Sequence, residues 1–133
     1  HPGGQLGRRF IKIADIMHRG DAMPLVTAET LMSEALLTMT TKSLGCVGVL
    51  GSDRNLMGII TDGDLRRHME VDLLARTAGD VMTRSPKTVP PDMLAAAVLG
   101  LMNERKITAL FAVEGERPVG IVHIHDLLRA GIV

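Results

Sequence analysis

A chain of 133 residues, 46% apolar and 23% charged, carries enough apolar mass for a packed core and falls outside the disordered class. Fifteen Lys and Arg balance fifteen Asp and Glu, so the formal net charge is 0. That balance excludes the cationic surface of a nucleic-acid or anionic-membrane binder.

In chain order, Leu25-Val26 reads as a short extended piece. A helix follows, with Met32, Ala35, Leu36 and Met39 spaced i, i+3, i+4, i+7 on one apolar face. Two strands come next, over residues 46–50 and 57–61, joined by the polar turn Gly51-Ser52-Asp53-Arg54-Asn55. A short helix starts near Asp64, and residues 69–79 read as a connector. Thr88-Val89 is then a second extended piece. Pro90-Pro91-Asp92 predicts a helix start with Asp92 placed to cap, and Leu94, Ala97, Val98 and Leu101 form the apolar face. Strands over 109–113 and 119–123 follow, joined by Glu114-Gly115-Glu116-Arg117, and a last helix starts near Asp126.

This order is a repeat. Asp15-Ile16-Met17 returns as Asp80-Val81-Met82. Val26, Leu31, Met39, Leu44 and Leu50 match Val89, Leu94, Met102, Ile107 and Val113, each 63 positions later. Gly58-Ile59-Ile60 and Asp64-Leu65 match Gly120-Ile121-Val122 and Asp126-Leu127, each 62 later. The predicted fold class is therefore α/β (α+β): two tandem β-α-β-β-α units packed as a pseudo-twofold pair. A unit of roughly 60 residues buries too little surface to be robust alone.

The single cysteine, Cys46, excludes an internal disulfide or a zinc cage and fits a buried role in a reducing, cytoplasmic setting. The longest apolar stretch, Met93 to Met102, is far below the roughly 18 residues of a membrane span. No signal-peptide pattern opens the chain. With no Trp or Tyr and two Phe, base stacking on nucleic acid has almost nothing to work with. Met32, Met39, Met57 and Met102 read as core.

Thr61 and Asp64 stand three apart where a strand hands over to a helix. A threonine hydroxyl and a carboxylate there suit a nucleotide, the carboxylate accepting bonds from ribose hydroxyls. A structural role fits the same residues, with Thr61 ending the strand and Asp64 capping the helix. The second copy places His123 where Thr61 stands and keeps Asp126. An imidazole meets a phosphate or a base edge, so uridine, cytidine or sugar-nucleotide ligands stand beside adenosine. His123 and His125 would share a strand face and, with Asp126, offer three metal ligands without a fourth, so no metal site is assigned. Arg66, Arg67 and Arg129 stand within reach of an anionic ligand or an acidic partner, while His18 and His68 read as surface residues. No nucleophile beside a base and no paired carboxylates mark a catalytic site, so no catalysis is expected of this chain.

The repeat, with Gly58-Ile59-Ile60-Thr61-Asp62-Gly63-Asp64-Leu65 after its third strand, resembles a tandem cystathionine-β-synthase (CBS) domain pair, or Bateman module, over residues 11–133. His1-Pro2-Gly3-Gly4-Gln5-Leu6-Gly7-Arg8-Arg9, Thr61 through Arg67, and the ending His123 through Gly131 resemble the bacterial arabinose-5-phosphate isomerases, in which a sugar-isomerase (SIS) domain precedes such a pair. The resemblance implies residues 1–10 as a remnant of the SIS domain and linker, a first CBS domain over 11–70 and a second over 71–133. His1 is implied to belong to the isomerase active site of the absent domain. The family interconverts ribulose 5-phosphate and arabinose 5-phosphate for synthesis of the lipopolysaccharide sugar Kdo. The resemblance implies a regulatory module binding a nucleotide or nucleotide sugar, CMP-Kdo or an adenosine nucleotide, in the cleft between the copies. Thr61, Asp64, Arg67, His123, His125 and Asp126 are the implied ligand residues. No cofactor is required, and the implied partners are the effector, the parent SIS domain and a second copy in a homodimer. The competing expectation is an oligomerisation scaffold of the isomerase that binds no ligand.

Overall fold

The computed structural model describes residues 5–133, with the side chains of residues 5 and 6 left aside. The His-Pro-Gly-Gly segment, and with it the expectation for His1, lies outside the described residues. The elements are α1 (Gln5–Arg8), β1 (Leu25–Thr27), α2 (Met32–Lys42), β2 (Cys46–Leu50), β3 (Leu56–Thr61), α3 (Asp62–Arg67), α4 (Ala78–Val81), β4 (Thr83–Arg84), β5 (Thr88–Val89), α5 (Ala95–Arg105), β6 (Ala109–Glu114), β7 (Arg117–His123) and α6 (Ile124–Arg129). This is the mixed α/β repeat that the sequence pattern predicts.

Two compact units result. One is contiguous, Asp21–Pro86, and carries the sheet β1-β2-β3-β4. The other is discontinuous: the residues up to Gly20 fold with Lys87–Val133 around the sheet β5-β6-β7. In each unit the first strand pairs parallel with the second, and the second antiparallel with the third. Register shifts fall at Val49/Leu50 and at Ala112/Val113, the same place in each copy.

The discontinuity comes from the segment that precedes each repeat. Ile13 N–H donates to Met93 O, Ala14 N–H to Pro91 O, and His18 and Ile121 exchange a pair of backbone bonds. Ile13 and Met17 are buried in the core formed by Val98, Met102, Leu110 and Val122. Residues 69–79 likewise differ from a bare connector. Leu73 and Ala78, with Val81 just beyond, are buried against Met32, Ala35 and Ile60 in the contiguous unit.

Two helix details depart from the sequence pattern. Asp92 does not cap α5, which starts three residues later with Leu94 as its N-cap. The cause is a turn closed by Met93 N–H to Pro90 O, pinned by backbone bonds from Ile13 and Ala14 to Met93 O and Pro91 O, which leaves Leu94 extended ahead of the helix. The buried face of α5 is Ala95, Val98, Leu99 and Met102, one position on from the predicted stripe, and Leu94 is exposed. The helix is apolar around most of its girth, so periodicity alone does not choose a face. The 63-residue offset does, since it carries Met32, Ala35, Leu36 and Met39 onto those four residues. In α2 the predicted face holds, with Met32, Ala35 and Met39 buried.

Gly58 and Gly120 occupy the same place in the two copies, and both allow a close approach. A Cβ on Gly58 would stand 2.4 Å from Met82 Sδ and 2.9 Å from the carbonyl oxygen of Thr83. The three atoms nearest a Cβ on Gly120 all belong to the Met17 side chain, with Sδ at 2.4 Å. A methionine side chain yields more readily than backbone. Gly58→Ala is therefore expected to cost about 1–3 kcal/mol and Gly120→Ala less. Urea unfolding of both variants checks this, and equal losses would contradict it.

Candidate functional site

Each unit ends its third strand in a carboxylate-capped corner. In the first, Thr61 is extended (φ −124°, ψ 177°) and is the N-cap of α3. Asp64, three residues on, turns back so that Thr61 N–H donates to its Oδ2 at 2.9 Å and the Thr61 hydroxyl donates at 3.3 Å. Arg67, one turn along, donates to Oδ1, and the hydroxyl of Thr83 on β4 donates to the same oxygen at 2.5 Å. Asp64 is 2% exposed, whereas the Arg67 side chain stands largely in solvent.

The second corner repeats this with different side chains. His123 N–H donates to Asp126 Oδ2 at 2.8 Å, and Arg129 donates to Oδ1 at 2.6 Å. His18 Nε2 lies 2.9 Å from Oδ2, the oxygen that also takes the cap N–H, whereas in the first corner the Thr61 hydroxyl shares that oxygen and Thr83 meets the other, Oδ1. His18 is thus not a bare surface residue as expected, but a partner of the buried carboxylate. His68 takes no such role and closes the end of α3 with its backbone N–H. The repeat held the missing signal, because His18 follows Asp15-Ile16-Met17 as Thr83 follows Asp80-Val81-Met82.

The structure brings Thr61, Asp64 and Arg67 together in one corner and His123, His125 and Asp126 in the other. His125 is not on a strand face with His123, since β7 ends at His123 and His125 lies in the first turn of α6. Its N–H donates to His123 Nδ1 at 3.1 Å, and the two rings lie 4.6 Å apart. That bond occupies one ring nitrogen of His123. Among the described residues no group of three or more His, Cys, Asp or Glu is arranged to hold a metal ion. Arg66 is exposed beside the first corner. A cavity of about 270 Å³ lined by Arg8, Arg9, Gly131 and Ile132 contains none of the corner residues.

The electrostatics follow from this wiring. Burial alone would raise the Asp64 carboxyl, but the bonds from Thr83, Thr61 N–H and Arg67, with the charge of Arg67, outweigh it and hold it below its ordinary value. Asp126 is lowered in the same way, by His123 N–H, His18 and Arg129 against burial. Burial and the neighbouring His125 hold His123 below the ordinary imidazole value, with Arg129 and His18 adding to this against the opposing pull of Asp126. Cys46 on β2, 2% exposed, has its thiol pushed up to about 12 by burial.

Fold and corners together define a protein of paired β-α-β-β-α repeats, each with a carboxylate at its strand-to-helix corner. The CBS domain family matches residues 13–71 and 78–132, and the chain belongs to that family. It is 47% identical over 136 residues to the arabinose 5-phosphate isomerase KdsD of Yersinia pestis, a match covering 100% of this chain and 42% of that protein. The chain therefore spans well under half the length of that relative. Among solved structures, CBSX2 of Arabidopsis thaliana in complex with AMP superposes with a TM-score of 0.78 at 23% identity, over 90% of this chain and 95% of that one. The CBS domain pair of MJ0100, in complex with 5′-methylthioadenosine and S-adenosyl-L-methionine, gives the same TM-score at 22% identity, over 90% and 94%. At these identities the two structures establish the shared fold. No helix among the described residues is long and apolar enough to cross a membrane.

Proposed function

We propose that the chain is the ligand-sensing, non-catalytic part of an arabinose-5-phosphate isomerase, and that a nucleotide or nucleotide sugar binding at its corners biases the attached enzyme. The observation that carries this reading is the pair of buried, ionised carboxylates, Asp64 and Asp126, at matched corners of a CBS pair whose full-length relative is such an isomerase. Asp64 and Asp126 accept ribose hydroxyls. Thr61 and His123 meet the phosphate or base edge, and Arg67 and His125 supply exposed donors for an anionic end. AMP and S-adenosylmethionine in the related complexes favour an adenosine ligand. CMP-Kdo is the alternative, as an end product that would feed back on an early step of Kdo synthesis. Regulation requires that the ligand bind two states of the enzyme with unequal affinity.

The test is a thermal-shift screen of this chain against AMP, ADP, ATP, CMP, CMP-Kdo and S-adenosylmethionine. Ligand at 100 times its Kd adds about 2.7 kcal/mol. For a domain of this size that is on the order of 5–15 °C. No shift at millimolar concentration would turn the reading to a cytoplasmic homodimer scaffold. Leu128 on α6, 54% exposed, and Leu37 on α2, 68% exposed, favour that second reading.

A further inference from the structure

The corners as folded are nearly saturated, and this bears on how any ligand enters them. An ionised carboxylate offers about four acceptor directions. Asp64 has four donors: Thr61 N–H, the Thr61 hydroxyl, Arg67 and Thr83. Asp126 has three among the described residues: His123 N–H, His18 and Arg129. A ribose diol brings two hydroxyl donors, so two resident donors have to leave Asp64 and one has to leave Asp126. The backbone N–H is fixed by the cap. The arginine bond is charge-assisted, roughly twice as strong as a neutral one. The two cheapest donors to displace from Asp64 are its neutral hydroxyls: that of Thr61, at 3.3 Å, which turns to the phosphate in the reading above, and that of Thr83, which sits on an exposed residue with water to receive it. Its counterpart at Asp126 is His18, whose side chain is 37% exposed.

We propose, building on the ligand reading above, that Thr83 and His18 are gate residues that compete with ligand hydroxyls for Asp64 and Asp126. Both stand directly after the helical turn that precedes a repeat, and both belong to a segment hydrogen-bonded along the third strand of their unit. From matched sequence positions a hydroxyl reaches Oδ1 of its carboxylate in one copy and an imidazole reaches Oδ2 in the other, which marks the position, and neither the side-chain type nor the oxygen, as the constant. Displacing the gate side chain takes away the one side-chain bond from that segment to the carboxylate. Ligand occupancy is thereby coupled to the segment entering each repeat. The second corner, with a direction to spare, fills first.

Isothermal titration with AMP tests the gates. Thr83→Val keeps the shape and removes the donor, and His18→Ala removes the imidazole. Each variant is expected to bind AMP roughly fivefold more tightly than the parent chain, the loss of one competing bond, while Thr83→Ser keeps parental affinity. Tighter binding in the variants supports the gate even if the parent chain binds too weakly to measure. A parent that binds while both variants bind equally or more weakly overturns the gate and leaves the ligand reading standing. No binding of AMP, or of CMP-Kdo titrated in the same way, by parent or variants overturns both.

Discussion

Ile13→Ala is expected to lose about 2–5 kcal/mol of stability, the cost of truncating a fully buried isoleucine and leaving the cavity behind. Ile13 is 0% exposed, far along the chain from the repeat whose core it completes. Global stabilities of ordinary domains run about 5–15 kcal/mol, so this one change would consume a large fraction. At roughly 3–5 °C per kcal/mol, a thermal melt should show a drop on the order of 6–25 °C. Phe10→Ala, three residues earlier, is the control. Phe10 is larger but 68% exposed, and its loss should stay within about 0.5 kcal/mol. Similar melts for the two variants would mean that the leading segment does not contribute to that core.

Asp64→Ala should weaken nucleotide binding by roughly tenfold to a hundredfold or more, because hydrogen bonds to a charged acceptor are worth about 1.5–3 kcal/mol each. The same variant has a second signature that needs no ligand. The Asp64 carboxyl is held below its ordinary value of 3.8 in the fold. A depressed carboxyl contributes stability that is fully present above its unfolded pKa and lost as pH falls through the folded one. Asp64→Ala should therefore be less stable than the parent at pH 7, and the gap should narrow as the pH drops below about 4. Urea unfolding at pH 7 and pH 3 checks the stability, and titration calorimetry checks the binding. A constant gap would mean the carboxylate is not ionised in its corner. An unchanged Kd would remove Asp64 from the ligand site.

The repeat made most of the architecture legible, because matched apolar positions in order along both halves constrain strands and helices together. Where the reading slipped, the competing influence came from far along the chain. Asp92 has the chemistry of a cap, but residues 91–94 are committed to backbone bonds with residues 12–14, which no local pattern reveals. Residues 69–79 carry Met69, Val71, the run Leu73-Leu74-Ala75 and Ala78 with no helical period to choose among them, yet only Leu73 and Ala78 are buried. In the site, Asp64, Asp126 and their arginines are legible because all bond within one short helical turn. Thr83 and His18 are not, since each reaches its carboxylate from another segment, 19 and 108 residues away. Only the alignment of one copy on the other connects them.

The discontinuous unit also sets an order of events during synthesis. Ile13 cannot make its bond to Met93 O until some 80 further residues have been translated. At about 5–20 residues per second this is a wait on the order of 4–16 seconds. The contiguous unit, residues 21–86, can close while the ribosome is still producing the second repeat. Throughout that interval Ile11, Ile13, Ile16 and Met17 remain in water with their docking strands unmade. Nascent-chain aggregation and chaperone capture should therefore concentrate on residues 11–17, and a change there acts on the last step of folding of this unit, not the first.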